Sequence, residues 1–379
     1  MRVDKILKKE GIEVEKMLSP IEVDSIAENI ANQICDTFPE YNIDKNALYS
    51  SLNRLNMYVA KMPNNLISAK YFYKNSSIYF NSKCVNFDNL STLALHECIH
   101  YIQELKSPRG KLLRLGLYNL EGFVDTGMAL NEAAVQLMAS LATKSPKDSV
   151  KYYNMNLTTE SPTYYPLQCS LMNQLIYFTG TYPLFYSTLY SNDVFKNTLI
   201  TKSNEQTYAT IDGNFDKIVK LEDSLSSAIS ELSITNENSK RVGELNLIID
   251  DLKHQITKTC LETQHIIIEN FFNSEFNSIK NLDQIDGFKE RLENFKSVLI
   301  QNNDDFFFDN YSKSVLYELE KKESAIKEFG SLEYLSTIRT ELATIEDVTY
   351  GVSFFKKLFG KVGILFKNSF SFGKAKTDN

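Results

Sequence analysis

"LALHECIHYIQE", from Leu93 to Glu104, carries His96 and His100, two of the four histidines in a chain of 379 residues. The stretch fits H-E-x-x-H. On an α-helix, positions i and i+4 project from one face, so both imidazoles can bind a single ion. Glu97 then stands where it can take a proton from water activated by that ion. Zn²⁺ suits this arrangement, because it lowers the pKa of water and polarises a carbonyl while the carboxylate acts as general base. Leu93, Leu95, Ile99 and Ile102 would hold the helix in a core, with Asp88 or Ser91 capping its start. Cys98, at a variable position of the motif, reads as core.

Two histidines leave a catalytic zinc site incomplete, since it needs a third protein ligand and one open position. No third histidine follows at short spacing, and His254 and His265 fall in a distant helical region. The third ligand is therefore expected to be a carboxylate. Glu104 lies one turn beyond His100 on the same helix and can hardly close a tetrahedron around the same ion. Glu121, in "NLEGFVD", is followed by Asp125, but Gly122 weakens a helix there. Glu132, in "ALNEAAVQL", lies inside a clear helical pattern, with Asn131 before it and Gln136 one turn later. Rigid helices hold ligands better than glycine-rich loops, which favours Glu132 over Glu121.

Upstream, "IEVDSIAENIANQICDTF" spaces Ile26, Ile30, Ile34 and Phe38 into one apolar helical stripe, in a region broken by Pro20 and Pro39. "NMYVAKM", "SAKYFYK" and "SIYFN" are short, rich in Tyr, Phe, Val and Ile, and separated by turn residues. They read as a small antiparallel sheet. A helix follows from about Asp88 until Ser107-Pro108-Arg109-Gly110 stops it. Gly116, Gly122 and Gly127 break the stretch that follows, and helix returns with "ALNEAAVQLMASLAT". Residues 152–190 are rich in tyrosine, and the spacing of Leu171, Leu175 and Phe178 makes part of them helical. From about Ser203 prolines disappear and apolar residues recur at helical spacing, as in "ELNLIIDDLKHQITKTCLETQHIIIENFF". The expected fold class is α+β, with a mixed domain over residues 1–202, a helical bundle or hairpin over 203–350 and a basic, Phe-rich tail over 351–379.

"HECIH" followed by "NEAAVQ" resembles the gluzincin group of zincin metallopeptidases, in which a glutamate on a second helix completes the zinc site. The match spans Lys70 to Ala142. It implies a zincin-like catalytic domain with a small antiparallel sheet and an active-site helix, zinc held by His96, His100 and Glu132, and Glu97 activating water. It also implies that the strand near Ile78 to Asn81 is an edge on which a peptide or protein substrate lies by strand addition. The chain departs from the thermolysin pattern. The interval from His100 to Glu132 is longer, and Gln136 stands where an aspartate often supports a histidine. No downstream histidine is at hand as transition-state donor, and the G-x-M-E-N element of aminopeptidases is missing. These departures point to an intracellular peptidase of narrow specificity.

Hydrolysis through a tetrahedral intermediate calls for a donor to the developing oxyanion. Tyr164, Tyr165, Tyr177 and Tyr182 follow Glu132, and Tyr182, between Gly180 and Pro183, is the expected donor. Arg109 and Arg114 are candidates for binding a substrate carboxylate. In the helical half a protein partner is the competing expectation. On that reading the chain is a non-catalytic or regulatory zincin-fold protein whose helices mediate the interaction. The tail "SFFKKLFGKVGILFKNSFSFGKAK" interleaves Phe with Lys, which suits peripheral contact with an anionic membrane, an acidic groove on a partner, or folding back onto the protein.

A net charge of −7 does not favour a nucleic-acid partner. The charged start "MRVDKILKKEGIEVEK" lacks the apolar run of a secretory signal. Five cysteines without CxxC pairing suit a reducing compartment, and a cytoplasmic location is expected.

Overall fold

The computed structural model describes residues 3–63, 68–85, 90–122, 124–236 and 240–329. Asp88 and the Phe- and Lys-rich tail lie outside the described residues. In chain order the first elements are α1 (Val3–Lys9), β1 (Glu13–Met17), α2 (Pro20–Thr37), α3 (Lys45–Leu52), β2 (Asn56–Lys61), β3 (Ala69–Phe72), β4 (Ser77–Asn81) and α4 (Leu90–Ile102). Next come β5 (Glu104–Lys106), β6 (Leu112–Leu115), β7 (Tyr118–Asn119), α5 (Met128–Ala142), β8 (Asp148–Tyr152), β9 (Met155–Thr159), α6 (Pro166–Thr179), α7 (Thr181–Tyr190) and α8 (Val194–Lys202). The last are α9 (Glu205–Ile234), α10 (Lys240–Ser278), α11 (Leu282–Asn294), β10 (Gln301–Asn302) and α12 (Phe307–Phe329). The described residues are thus a mixture of many helices with three small sheets. Among the described residues no helix is long and apolar enough to cross a membrane.

Local chemistry explains the start of α2. Ser19 caps it, its hydroxyl accepting from Glu22 N while the Glu22 carboxylate accepts from Ser19 N, and Pro20 occupies the first turn, where its missing N–H costs nothing. The stripe of Ile26, Ile30 and Ile34 is buried, as is Phe38 just past the helix.

All three β-rich segments form strands, but the sheet is mixed rather than antiparallel. Its order is β1-β2-β4-β3, with β2 parallel to β4 and the other neighbours antiparallel. The hairpin from β3 into β4 turns at residues 73–76, and β4 then slots between β3 and β2. The expected edge at Ile78 to Asn81 is therefore an inner strand, with every residue of β4 buried. A continuous buried run is what a strand covered on both faces requires. Among the described strands, β3 forms the outer edge on that side.

The motif helix ends at Ile102, earlier than its apolar pattern suggests, and Ser91 lies inside it rather than at its cap. Residues 104–119 form a second sheet, β5-β6-β7, and Ser107 to Gly110 make its first hairpin turn instead of a helix stop. Helix α4 packs against β3 and β4 on one side and against α2 and α5 on others.

The chain divides into two compact units. The first comprises residues 1–271 and 295–305 and contains all three sheets. The second comprises, among the described residues, 272–294 and 306–329. Its described core is aromatic: Phe272 meets Phe288 edge-on at 5.8 Å, and Arg291 forks onto the Glu275 carboxylate at 2.8 and 3.0 Å. Cys98, Cys169 and Cys260 are buried as core residues.

Candidate metal centre

Helix α4 places His96 and His100 one turn apart, with their Nε2 atoms 3.1 Å from each other. Glu132, from the second turn of α5, reaches the same point. Its Oε2 lies 3.3 Å from His96 Nε2, and its Oε1 lies 3.4 Å from His100 Nε2. Zinc bonds of about 2.0–2.1 Å in a tetrahedron set neighbouring ligand atoms about 3.3 Å apart. The donor set therefore fits a small divalent ion such as zinc. Among the described residues, no other group of three His, Cys, Asp or Glu side chains converges in this way.

The electrostatics agree. Burial works to lower the pKa of His100, but the charge of Glu132 and its hydrogen bond outweigh it and push His100 up to about 9. Burial likewise works to raise Glu132, yet His100 and His96 hold its carboxyl far below the usual carboxylate range. A cation is what this carboxylate is placed to meet.

The remaining donors of both imidazoles are held by amides. His96 Nδ1 lies 3.0 Å from Gln136 Oε1, and the Gln136 Nε2 group donates onward to Ser140 Oγ at 3.3 Å. His100 Nδ1 lies 3.2 Å from Gln103 Oε1. Glu97 is half-buried beside the triad, and its charge helps raise His100. Its Oε2 accepts from the backbone N–H of Tyr71 on β3 at 2.5 Å.

The tyrosine beside this centre is Tyr165, not Tyr182. The Tyr165 ring stacks over His96 with centroids 6.5 Å apart and planes 18° apart. The charge of Glu132, then burial, then Glu97 push its hydroxyl well above the ordinary range. Tyr182 stacks on Tyr41 at 5.2 Å and on Tyr186 at 5.6 Å, half-exposed on α7. Tyr164 pairs its hydroxyl with Ser68 Oγ, and Tyr177 packs edge-on against Phe295. Tyr165 reaches the site because its backbone takes a left-handed conformation, φ 51°, just before Pro166 opens α6. Nothing in the local sequence pattern announces that turn.

The other candidates lie elsewhere. Glu121 sits exposed beyond β7, its N–H bound to Asn119 Oδ1. Glu104 leaves the helix for β5 and pairs with Lys106. Arg114 is buried and spends its guanidinium on Gly116 O, Asn192 O and Asp193, so it is a staple rather than a substrate anchor. Arg109 lies exposed in the β5–β6 turn. His254 is exposed, and His265 pairs with Asp305 at 2.8 Å. Sequence reasoning missed Gln103, which the spacing from His100 (i+3) would have indicated, and the Tyr71 N–H, which no side-chain motif encodes. No family model, curated protein or solved structure matches the chain.

Proposed function

We propose that the chain is a zinc-dependent peptidase of the gluzincin type, hydrolysing a peptide bond in a peptide or protein substrate. One observation carries this reading: His96, His100 and Glu132 set their ligand atoms 3.1, 3.3 and 3.4 Å apart from two packed helices. Glu97, adjacent to the first ligand, supplies the base. When bound, zinc supplies a Lewis acid that lowers the pKa of water and polarises a carbonyl. Glu97 takes the proton of the attacking water on Oε1 and returns it to the leaving amine, while the Tyr71 N–H holds Oε2 and fixes the carboxylate. Tyr165 keeps its proton at neutral pH, because Glu132 and burial oppose its ionisation, and donates it as a hydrogen bond to the developing oxyanion. The outer strand β3, against which α4 packs, is the edge along which an extended substrate would align.

The competing reading is a non-catalytic zincin-fold binding protein. It draws on the Glu97–Tyr71 contact, which engages one oxygen of the base. Measured zinc content and cleavage of a broad peptide library by wild type and Glu97→Gln separate the two. A peptidase binds zinc in both forms and loses about 10²–10⁴-fold in rate with the variant. Full zinc occupancy with no cleavage by either form favours the binding reading.

A further inference from the structure

Which nitrogen of His100 carries the proton decides which one can face a metal, and the structure fixes it from a distance. The backbone N–H of Leu117 donates to Asn131 Oδ1 at 3.0 Å. A backbone N–H can only donate, so this atom of Asn131 is the oxygen and its partner Nδ2 is the donor. Asn131 Nδ2 donates to Gln103 Oε1 at 3.2 Å, while Gln103 Nε2 donates back to Asn131 Oδ1 at 3.1 Å. Gln103 Oε1 is thus an acceptor, and it faces His100 Nδ1 at 3.2 Å. The nitrogen opposite it must carry a hydrogen, so in the neutral imidazole Nε2 keeps its lone pair toward His96 and Glu132.

The relay is closely fitted. Asn131 is 2 % exposed and Gln103 is 1 % exposed, so neither amide can turn to water instead. Gly116 lies against both: a Cβ there would meet Asn131 Oδ1 and Gln103 Nε2 at 2.3 Å each. Its φ of +55° also favours glycine. Ser191 pins the surroundings, accepting from Gly116 N at 2.7 Å and donating to Gln103 O. We propose that the Leu117 N–H sets the tautomer of His100 through Asn131 and Gln103, which makes these two amides positioning residues of the metal centre. The consequence for metal affinity rests on the metallopeptidase reading, whereas the tautomer itself does not.

The test uses the isotope-labelled full chain. Long-range ¹H–¹⁵N spectra of the metal-free protein at pH 10 read the neutral tautomer of His100, and competition with a chelator reads the zinc Kd. Wild type is expected to show the Nδ1–H form. Gln103→Leu should convert His100 toward the Nε2–H form, which donates to Glu132, and weaken zinc about 10–100-fold. Gln103→Glu keeps the acceptor and should restore the Nδ1–H form. Asn131→Ala, which frees the Gln103 amide to turn over, should mix the two forms and serves if Gln103→Leu fails to fold. A single Nδ1–H form retained in Gln103→Leu or Asn131→Ala overturns the relay, even if zinc affinity falls. Wild type that shows the Nδ1–H form but binds no zinc sinks the metallopeptidase reading and supports the relay.

Discussion

Two carboxylates beside α5, one on the helix and one facing its N-terminus, are largely withdrawn from water, and their proton affinities move in opposite directions. Glu132, in the second turn of α5, is held far below its ordinary range by His100 and His96 against the pull of burial. Asp212, from α9, accepts from Gly127 N at the N-terminus of α5, and burial together with the charge of Asp216 pushes it up to about 6. Burial acts in the same sense on both. The neighbours decide the sign, because one carboxylate faces imidazoles that can carry or bind positive charge and the other faces a second carboxylate. The first arrangement is a cation site. The second is a helix cap that tolerates strain between like charges, since Asp212 accepts from the N-cap Gly127 N and Asp216 from Ala129 N in the first turn, each at 3.1 Å.

Removing the carboxylate at the cation site should have the largest effect. Glu132→Ala leaves two imidazoles and is expected to weaken zinc by more than the ~10–100-fold typical of losing a supporting partner. Glu121→Ala, on its exposed bend, should leave the zinc Kd unchanged. Chelator competition on the two variants checks this, and equal losses would mean that Glu132 is no more a ligand than Glu121.

The contrast also shows what the sequence could and could not convey. His96, Glu97 and His100 were legible because helical spacing alone puts them on adjoining positions. Glu132 was legible because "ALNEAAVQL" is helical without ambiguity. Tyr165 was not, since its approach depends on a left-handed turn between β9 and α6. The place of β4 inside the sheet was hidden for another reason. Strand order follows from the long-range parallel pairing of Asn56–Ala60 with Ser77–Asn81, which local alternation does not encode. Asp212 lies 85 residues from Gly127, so its role as a cap of α5 has no local signature either.

Asp212→Asn tests the strained end of the comparison. The ionised form of Asp212 is disfavoured in the folded chain, so the penalty is present above about pH 6 and is relieved as pH falls from there toward the ordinary value of 3.8. Wild type should gain about 2–3 kcal/mol from this group across that window. Asn keeps an oxygen for Gly127 N and does not titrate, so the wild-type-minus-variant difference in urea midpoint should slope between pH 4 and 6 and flatten above. A difference independent of pH would mean that Asp212 titrates in its ordinary range.

The smallest expected effect separates the two causes of that shift. Asp216→Asn retains an acceptor for Ala129 N, bound at 3.1 Å in the wild type, and removes only the like charge facing Asp212. Lys196 and the Gly127 N–H, which both favour ionised Asp212, remain in place. Losing a carboxylate at the start of α5 costs about 0.3–1 kcal/mol of charge–dipole energy. Relief of the repulsion offsets it, so net stability at pH 7 should change by less than about 1 kcal/mol. The pH at which Asp212 titrates is the sharper readout. It should fall below about 6 but stay above 3.8, because burial remains. If it does not move, burial alone raises Asp212, and the opposite behaviour of the two carboxylates reduces to the presence of His96 and His100 beside one of them.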